Sequence, residues 1–180
     1  LQCQAGVTAQ CLSAQEVNAA RNIYAGLVDS SGQVLMPGTG PGSETLWGAY
    51  ASPAFSIGTS FYKNVVLQNP QWDPATFDVD SDVPRALAAD NGEHDAMNAD
   101  ISAFLARGGK LITYHGTTDG LIPSGNSLNY FQSMVATLGE EAVKESVRYY
   151  QIPGMDHCSG GEGAHDIDWL DAMEKWVETD

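Results

Sequence analysis

The stretch GGKLITYHGTTDGLIP, at residues 108–123, decides the fold class of this chain. Its glycine pair ends a helix that can begin at Asn98 or Asp100, and LITYHG at 111–116 is a short β-rich run. A polar loop that contains Asp119 follows at once. A helix, a strand and a polar loop in this order are typical of one unit of a parallel α/β sheet.

A second strand is predicted farther along the chain, at VRYYQIP, residues 147–153. Between the strands a helix should begin at Ser124 or Asn126 and run through Leu138, and an amphipathic helix should occupy residues 167–177. This order predicts parallel strands joined by crossover helices. Two strands do not complete a sheet, so this part is predicted to be a piece of a larger α/β domain.

The residues before this α/β part are predicted to be less regular. Residues 13–25 should form a helix, because Ser13 and Glu16 make a capping-box pattern at its start. Residues 26–60 are rich in Gly and Pro and are predicted to be irregular. The run FYKNVVL at 61–67 is compatible with either a helix or a short strand.

An acidic segment with aromatic residues follows at residues 69–83. Its composition predicts an extended surface segment that is pinned by Trp72 and Phe77. The run DVDSD at 78–82 superficially resembles a calcium-binding loop, but it lacks the turn glycine and the distal Glu. We therefore predict no metal site in this segment.

The composition is that of a folded acidic protein. Of its 180 residues, 43% are hydrophobic and 17% are charged, and the formal net charge is −15. Such an excess of negative charge repels phosphate groups and anionic lipids, which argues against nucleic acids and membrane surfaces as partners. No apolar stretch approaches the roughly 18 residues that a membrane-spanning helix needs.

The three cysteines have two interpretations. In a cytosolic protein, Cys3, Cys11 and Cys158 would be free thiols. In a secreted protein, we expect a local Cys3–Cys11 bridge and an unpaired Cys158 that seeks a partner. The chain begins at Leu1 rather than at an initiator Met, so we expect its true start to lie upstream or to have been removed.

Two residues with catalytic chemistry lie in loops that follow the predicted strands. Asp119 follows the first strand, and His157 follows the second in PGMDHCSGG. In parallel α/β sheets, functional groups collect in such loops. The order Asp then His is also the end of the Ser, Asp, His order of α/β-hydrolases, in which the carboxylate orients the imidazole that activates the serine.

Each of these residues also has a structural interpretation. Asp119 can be a turn former or a helix cap, and His157 can be a structural residue. His115 is the alternative base, although packing or hydrogen bonding to the next loop explains it better. His94 and His165 lie in polar stretches and are predicted to be solvated.

The nucleophile that this acid and base would need is absent from the chain. No GxSxG motif occurs, and no serine lies between a strand and a helix in an elbow-like context. Either the hydrolase interpretation is wrong or the serine lies upstream of Leu1. The missing strands favour the second alternative.

Longer stretches of the sequence resemble a known family. The C-terminal region of the tannase and feruloyl esterase family resembles two stretches of this chain, GGKLITYHGTTDGLIP and RYYQIPGMDHCSGG. In detail, these sequences are most similar to those of fungal feruloyl esterases of the B type. CLSAQEVNAARNIYAG, PGSETLWG and NPQWDPATFDVDSDV resemble the lid region of that family. The resemblance implies an α/β-hydrolase fold. Residues 1–97 would be the C-terminal part of its lid domain, and residues 98–180 its last two strands and helices.

The resemblance also implies roles for individual residues. Asp119 would be the acid and His157 the base of a catalytic triad. Cys158 would form a disulfide with a cysteine beside the nucleophilic serine, in a missing N-terminal portion of the same protein. Cys3 and Cys11 would form a small lid disulfide. A structural calcium ion in the lid would take its ligands from outside this chain.

The implied function is that of a secreted serine esterase. Its substrate would be a small phenolic ester, with ferulate-type acids released from plant cell-wall esters. The alternatives are a tannase that cleaves gallate esters, an inactive fragment or binding module, and a peptidase or lipase of the same fold. Without its serine, this chain is expected to be inactive alone.

Overall fold

The computed structural model describes residues 2–7, 9–51 and 56–179, without the side chains of residues 50 and 51. The strands are β1 Leu27–Val28, β2 Val34–Met36, β3 Leu111–Gly116 and β4 Val147–Ile152. The α-helices are α1 Ala14–Ala25, α2 Gly48–Ala51, α3 Ser56–Phe61, α4 Val79–Asp90, α5 Ser102–Leu105, α6 Ser124–Leu138, α7 Glu140–Ser146 and α8 Trp169–Thr179. Short 3-10 turns lie at Glu44–Leu46 and Pro74–Thr76, and a π-helical turn lies at Tyr62–Val66.

Strands β3 and β4 pair in parallel, as the sequence predicts. Their register runs from Leu111 opposite Val147 to Gly116 opposite Ile152. The connection between them contains α6 and α7, and the second of these helices was not predicted. Because the two strands end at the same level, the loops that follow them begin side by side at one edge of the sheet.

A small apolar core supports this strand pair. Met134 of α6, Val143 of α7 and Val147 of β4 are buried together. Helix α8 packs elsewhere, where the Trp169 ring stacks on Tyr114 with ring centroids 4.5 Å apart. Helices therefore alternate with the two parallel strands along this part of the chain, which is consistent with an α/β fold.

The part of the chain before residue 98 is more regular than predicted. Helix α1 begins at the capping box of Ser13 and Glu16, as expected. Residues 26–60, predicted to be irregular, contain the β1–β2 hairpin and short helices. The run at 61–67 is largely helical, and it continues from α3.

The prediction of an extended segment at residues 69–83 is wrong in its second half. Helix α4 begins at Val79, because the Asp78 side chain accepts a hydrogen bond from the backbone N–H of Ser81 and caps the helix. Pro84 lies inside this helix, six residues after its cap.

Trp72 and Phe77, which were predicted to pin this segment, both contact the ring of Tyr62. Tyr62 stacks on Trp72 with ring centroids 5.6 Å apart. It also packs edge-on against Phe77, with the centroids 5.3 Å apart. These contacts anchor the segment to the π-helical turn that contains Tyr62.

Candidate active site

The carboxyl group of Asp119 is held in a buried turn after β3. Its side chain is only 3% exposed. Oδ1 accepts hydrogen bonds from the backbone N–H groups of Leu121, at 2.8 Å, and Ile122, at 2.9 Å. These amides fix one carboxyl oxygen and leave the second, Oδ2, to face the loop that follows β4.

That second oxygen meets His157. Nδ1 of His157 lies 2.8 Å from Oδ2 of Asp119, across 38 positions of sequence. A carboxylate can only accept, so the hydrogen bond places a proton on Nδ1 and leaves Nε2 as the free nitrogen of the neutral ring. With its side chain 40% exposed, His157 is oriented by a buried acid and still accessible to a reacting group.

Two opposing effects determine the pKa of Asp119. Burial by itself would raise this pKa. Hydrogen bonds from the Ile122 amide, the His157 ring and the Leu121 amide outweigh burial and hold the pKa below its ordinary value. The carboxylate therefore stays ionised across the neutral and mildly acidic range, as an acid that orients an imidazole requires.

Two threonines before Asp119 join the two loops. The Thr117 hydroxyl accepts a hydrogen bond from the backbone N–H of Gly154, at 3.0 Å. The Thr118 hydroxyl lies 2.8 Å from the carbonyl oxygen of Met155 and 2.9 Å from Oδ1 of Asp156. The sequence does not predict these contacts, because a threonine pair has no local signature for a contact this distant.

His115 has a different role from His157. Its Nδ1 lies 2.7 Å from the Ser127 hydroxyl, and its Nε2 lies 3.1 Å from Oδ2 of Asp119 and 3.0 Å from the Ile122 carbonyl oxygen. Both ring nitrogens thus contact protein groups, and the side chain is only 12% exposed. The hydrogen bonding of His115 to the loop after its strand is therefore as predicted, and both of its ring nitrogens are engaged there or at Ser127.

The other two histidines lie in different surroundings. His94 is exposed, and its Nδ1 lies 2.7 Å from Oδ1 of Asp90. The His165 side chain is 35% exposed, so it is partly solvated, although its Nδ1 atom is buried.

The cysteines divide as expected for a secreted protein. Cys3 and Cys11 form a disulfide. Cys158 is a free, exposed thiol directly after His157. Its backbone has φ of 62°, and the Ser159 N–H donates to the His157 carbonyl oxygen at 2.7 Å, which makes a tight γ-turn. The predicted bond from Cys158 to a cysteine outside this chain stays a prediction.

A cavity of about 290 Å³ adjoins the pair of Asp119 and His157. It is lined by Tyr114, His115, Gly116, Asp119, Ile122, Met155, His157 and Cys158.

Within the described part of the chain, no three His, Cys, Asp or Glu side chains come together to hold a metal ion. In the same residues, no helix has the length and apolar character needed to cross a membrane.

A glycine-rich segment from the first half of the chain packs against the loop that carries Asp119. A Cβ atom added at Gly40 would overlap the carbonyl oxygen of Thr117. One added at Gly42 would lie 2.6 Å from Cγ2 of Thr118, and one at Gly120 would lie 2.6 Å from Cβ of Leu46. The two backbones can approach this closely only because these positions lack side chains.

Replacing Gly40 with Ala should therefore disturb the loop that carries Asp119. We expect a loss of about 1–3 kcal/mol in the free energy of unfolding, because backbone atoms must move to admit the methyl group. Urea unfolding of the whole protein measures this change. Gly48→Ala is the matched control, since nothing lies within 4 Å of its added Cβ atom. Equal effects of the two variants would contradict the close packing at Gly40.

Comparisons with known proteins show the family to which this chain belongs. A family model described as tannase and feruloyl esterase matches residues 1–180. The chain belongs to the tannase and feruloyl esterase family. Among its relatives, a probable feruloyl esterase B-2 from Aspergillus terreus is 36% identical over 195 residues, which cover 98% of this chain and 37% of the relative.

Solved structures of the family share the fold. A crystal structure of an esterase from Aspergillus oryzae matches with a TM-score of 0.90 at 35% identity, covering 98% of this chain and 38% of that one. Feruloyl esterase B from Aspergillus oryzae matches with a TM-score of 0.87 at 28% identity, covering 99% and 39%. These matches confirm the α/β fold class. The chain spans little more than a third of the length of these family members.

Proposed function

We propose that these residues are the acid- and base-bearing part of a secreted serine esterase that releases ferulate-type phenolic acids. The observation that carries this proposal is the 2.8 Å contact between Nδ1 of His157 and Oδ2 of the buried Asp119. In this proposal the nucleophilic serine comes from a longer protein that includes this chain. Residues 1–97 belong to its lid, and residues 98–180 complete its α/β-hydrolase domain.

The chemistry assigns the proton transfers to His157 and the stabilisation of its charged ring to Asp119. Nε2 of His157 takes the proton of the serine hydroxyl as its oxygen attacks the ester carbonyl. Asp119 stabilises the imidazolium that forms, and His157 then gives the proton to the departing alcohol. Water repeats these steps on the acyl-enzyme, which releases the acid and restores the serine.

The cysteines support an oxidising compartment for this protein. Local disulfides such as Cys3–Cys11 persist in secreted proteins and are rare in the cytosol. We propose that Cys158 bonds to a cysteine beside the serine and so tethers base and nucleophile. The calcium ion that the family resemblance implies would be bound by residues outside this chain, and no step uses it.

A substrate panel on the full-length protein tests this function. We expect methyl ferulate to be hydrolysed with a kcat/KM at least about tenfold above that of methyl gallate, a factor that one lost hydrogen bond can supply. The relatives' names favour ferulate over gallate. The reverse preference would indicate a tannase, and no hydrolysis of any ester would indicate a binding module.

Non-reducing peptide mapping of the same protein tests the tether. We expect the peptide that contains Cys158 to be linked to a peptide in which a cysteine adjoins a serine. A free thiol at Cys158, or a link to Cys3 or Cys11, would contradict the proposed arrangement.

A further inference from the structure

We infer that His115 is a positioning residue for the catalytic acid, so that Asp119 works between two imidazole rings. This inference rests on the esterase function proposed above. It starts from the second hydrogen bond at Oδ2 of Asp119, which the triad does not use. Nε2 of His115 lies 3.1 Å from the same oxygen that accepts from His157.

The hydrogen-bond partners identify the tautomer of His115. Nε2 lies 3.0 Å from the Ile122 carbonyl oxygen, which can only accept, so Nε2 carries the hydrogen. In the neutral ring, Nδ1 is then an acceptor, and it receives the hydroxyl hydrogen of Ser127 at 2.7 Å. Ser127 therefore holds His115 in the form that donates to Asp119.

This donation completes the fixing of the Asp119 carboxylate. The amides of Leu121 and Ile122 hold Oδ1, and a rotation of the carboxylate about its Cβ–Cγ bond would stretch these bonds together with the bond from His115 to Oδ2. The donor on His115 holds Oδ2 in the direction of His157. Because His115 is almost fully buried and bonded at both nitrogens, its contribution stays constant while the His157 ring gains and loses its proton.

The two amide substitutions at position 115 separate positioning from packing. In His115→Gln, the amide nitrogen reaches the place of Nε2 and can donate to Asp119. In His115→Asn, the shorter amide lies near the place of Nδ1 and cannot. We expect His115→Asn to lower kcat on methyl ferulate by about 10- to 100-fold with KM within about twofold, and His115→Gln to stay within about fivefold of the wild type.

The kinetics are measured on the full-length protein, together with the thermal unfolding midpoint of each variant. Rescue by Gln and not by Asn supports the inference. An equal loss in both variants that follows their unfolding midpoints would assign His115 a structural role and overturn it. Wild-type kcat in both variants would overturn it as well.

An NMR measurement tests the same arrangement without relying on activity. Long-range ¹H–¹⁵N spectra of protein labelled at histidine nitrogens should show that His115 is protonated at Nε2 and unprotonated at Nδ1. The opposite tautomer would overturn the inference even if the protein is an active esterase. If no ester is hydrolysed, the proposed function fails, and these spectra still decide the hydrogen bonds of His115.

Discussion

Replacing His157 with Ala is expected to lower kcat on methyl ferulate by about 10⁶-fold, the loss that follows removal of the base from a serine triad. The serine hydroxyl would then have no group to take its proton, and the leaving alcohol no group to supply one. KM should change little, because the lost interaction acts in the transition state. Steady-state kinetics of the full-length variant measure both constants.

The position of the His157 ring allows a rescue experiment. Because its side chain is 40% exposed beside a cavity of about 290 Å³, added imidazole should enter the variant and restore part of the activity. His94→Ala is the matched control, since that exposed ring pairs with Asp90 instead, and its kcat should stay within about twofold. Activity above about 1% of wild type in His157→Ala would place the base elsewhere.

Replacing Asp119 with Asn is expected to lower kcat by about 10⁴-fold, with the fold retained. The amides of Leu121 and Ile122 require an acceptor, so the Asn oxygen must take the place of Oδ1. Its NH₂ group then faces His157, where it meets another donor. His157 must turn away or move its proton to Nε2, and in either case it cannot accept the proton of a serine.

Asp156→Asn is the matched control for this charge removal. Asp156 precedes His157 and accepts from the Thr118 hydroxyl through one oxygen, which Asn retains. Its kcat should stay within about fivefold of the wild type. If Asp156→Asn lost as much activity as Asp119→Asn, net charge near His157 would explain both results, and the specific role of Asp119 would be wrong.

Local patterns in the sequence were sufficient for the elements that carry the candidate site. The β-rich run at 111–116 is a strand, and outside the site the Ser13 and Glu16 pattern begins α1. These predictions succeed because a strand run or a helix cap is defined by residues a few positions apart. They fail at α4, where the composition of residues 69–83 indicated an extended segment although Asp78 caps a helix.

The sequence by itself determined the family of this chain, its α/β class, and Asp119 and His157 as its candidate site residues. Only the tertiary structure decided that Asp119 faces two imidazole rings and that Thr118 joins the two loops across 37 and 38 positions. These contacts depend on the register that brings the ends of β3 and β4 to one edge of the sheet. Register is a property of paired strands, and no local pattern in either strand encodes which side chains will meet beyond its end.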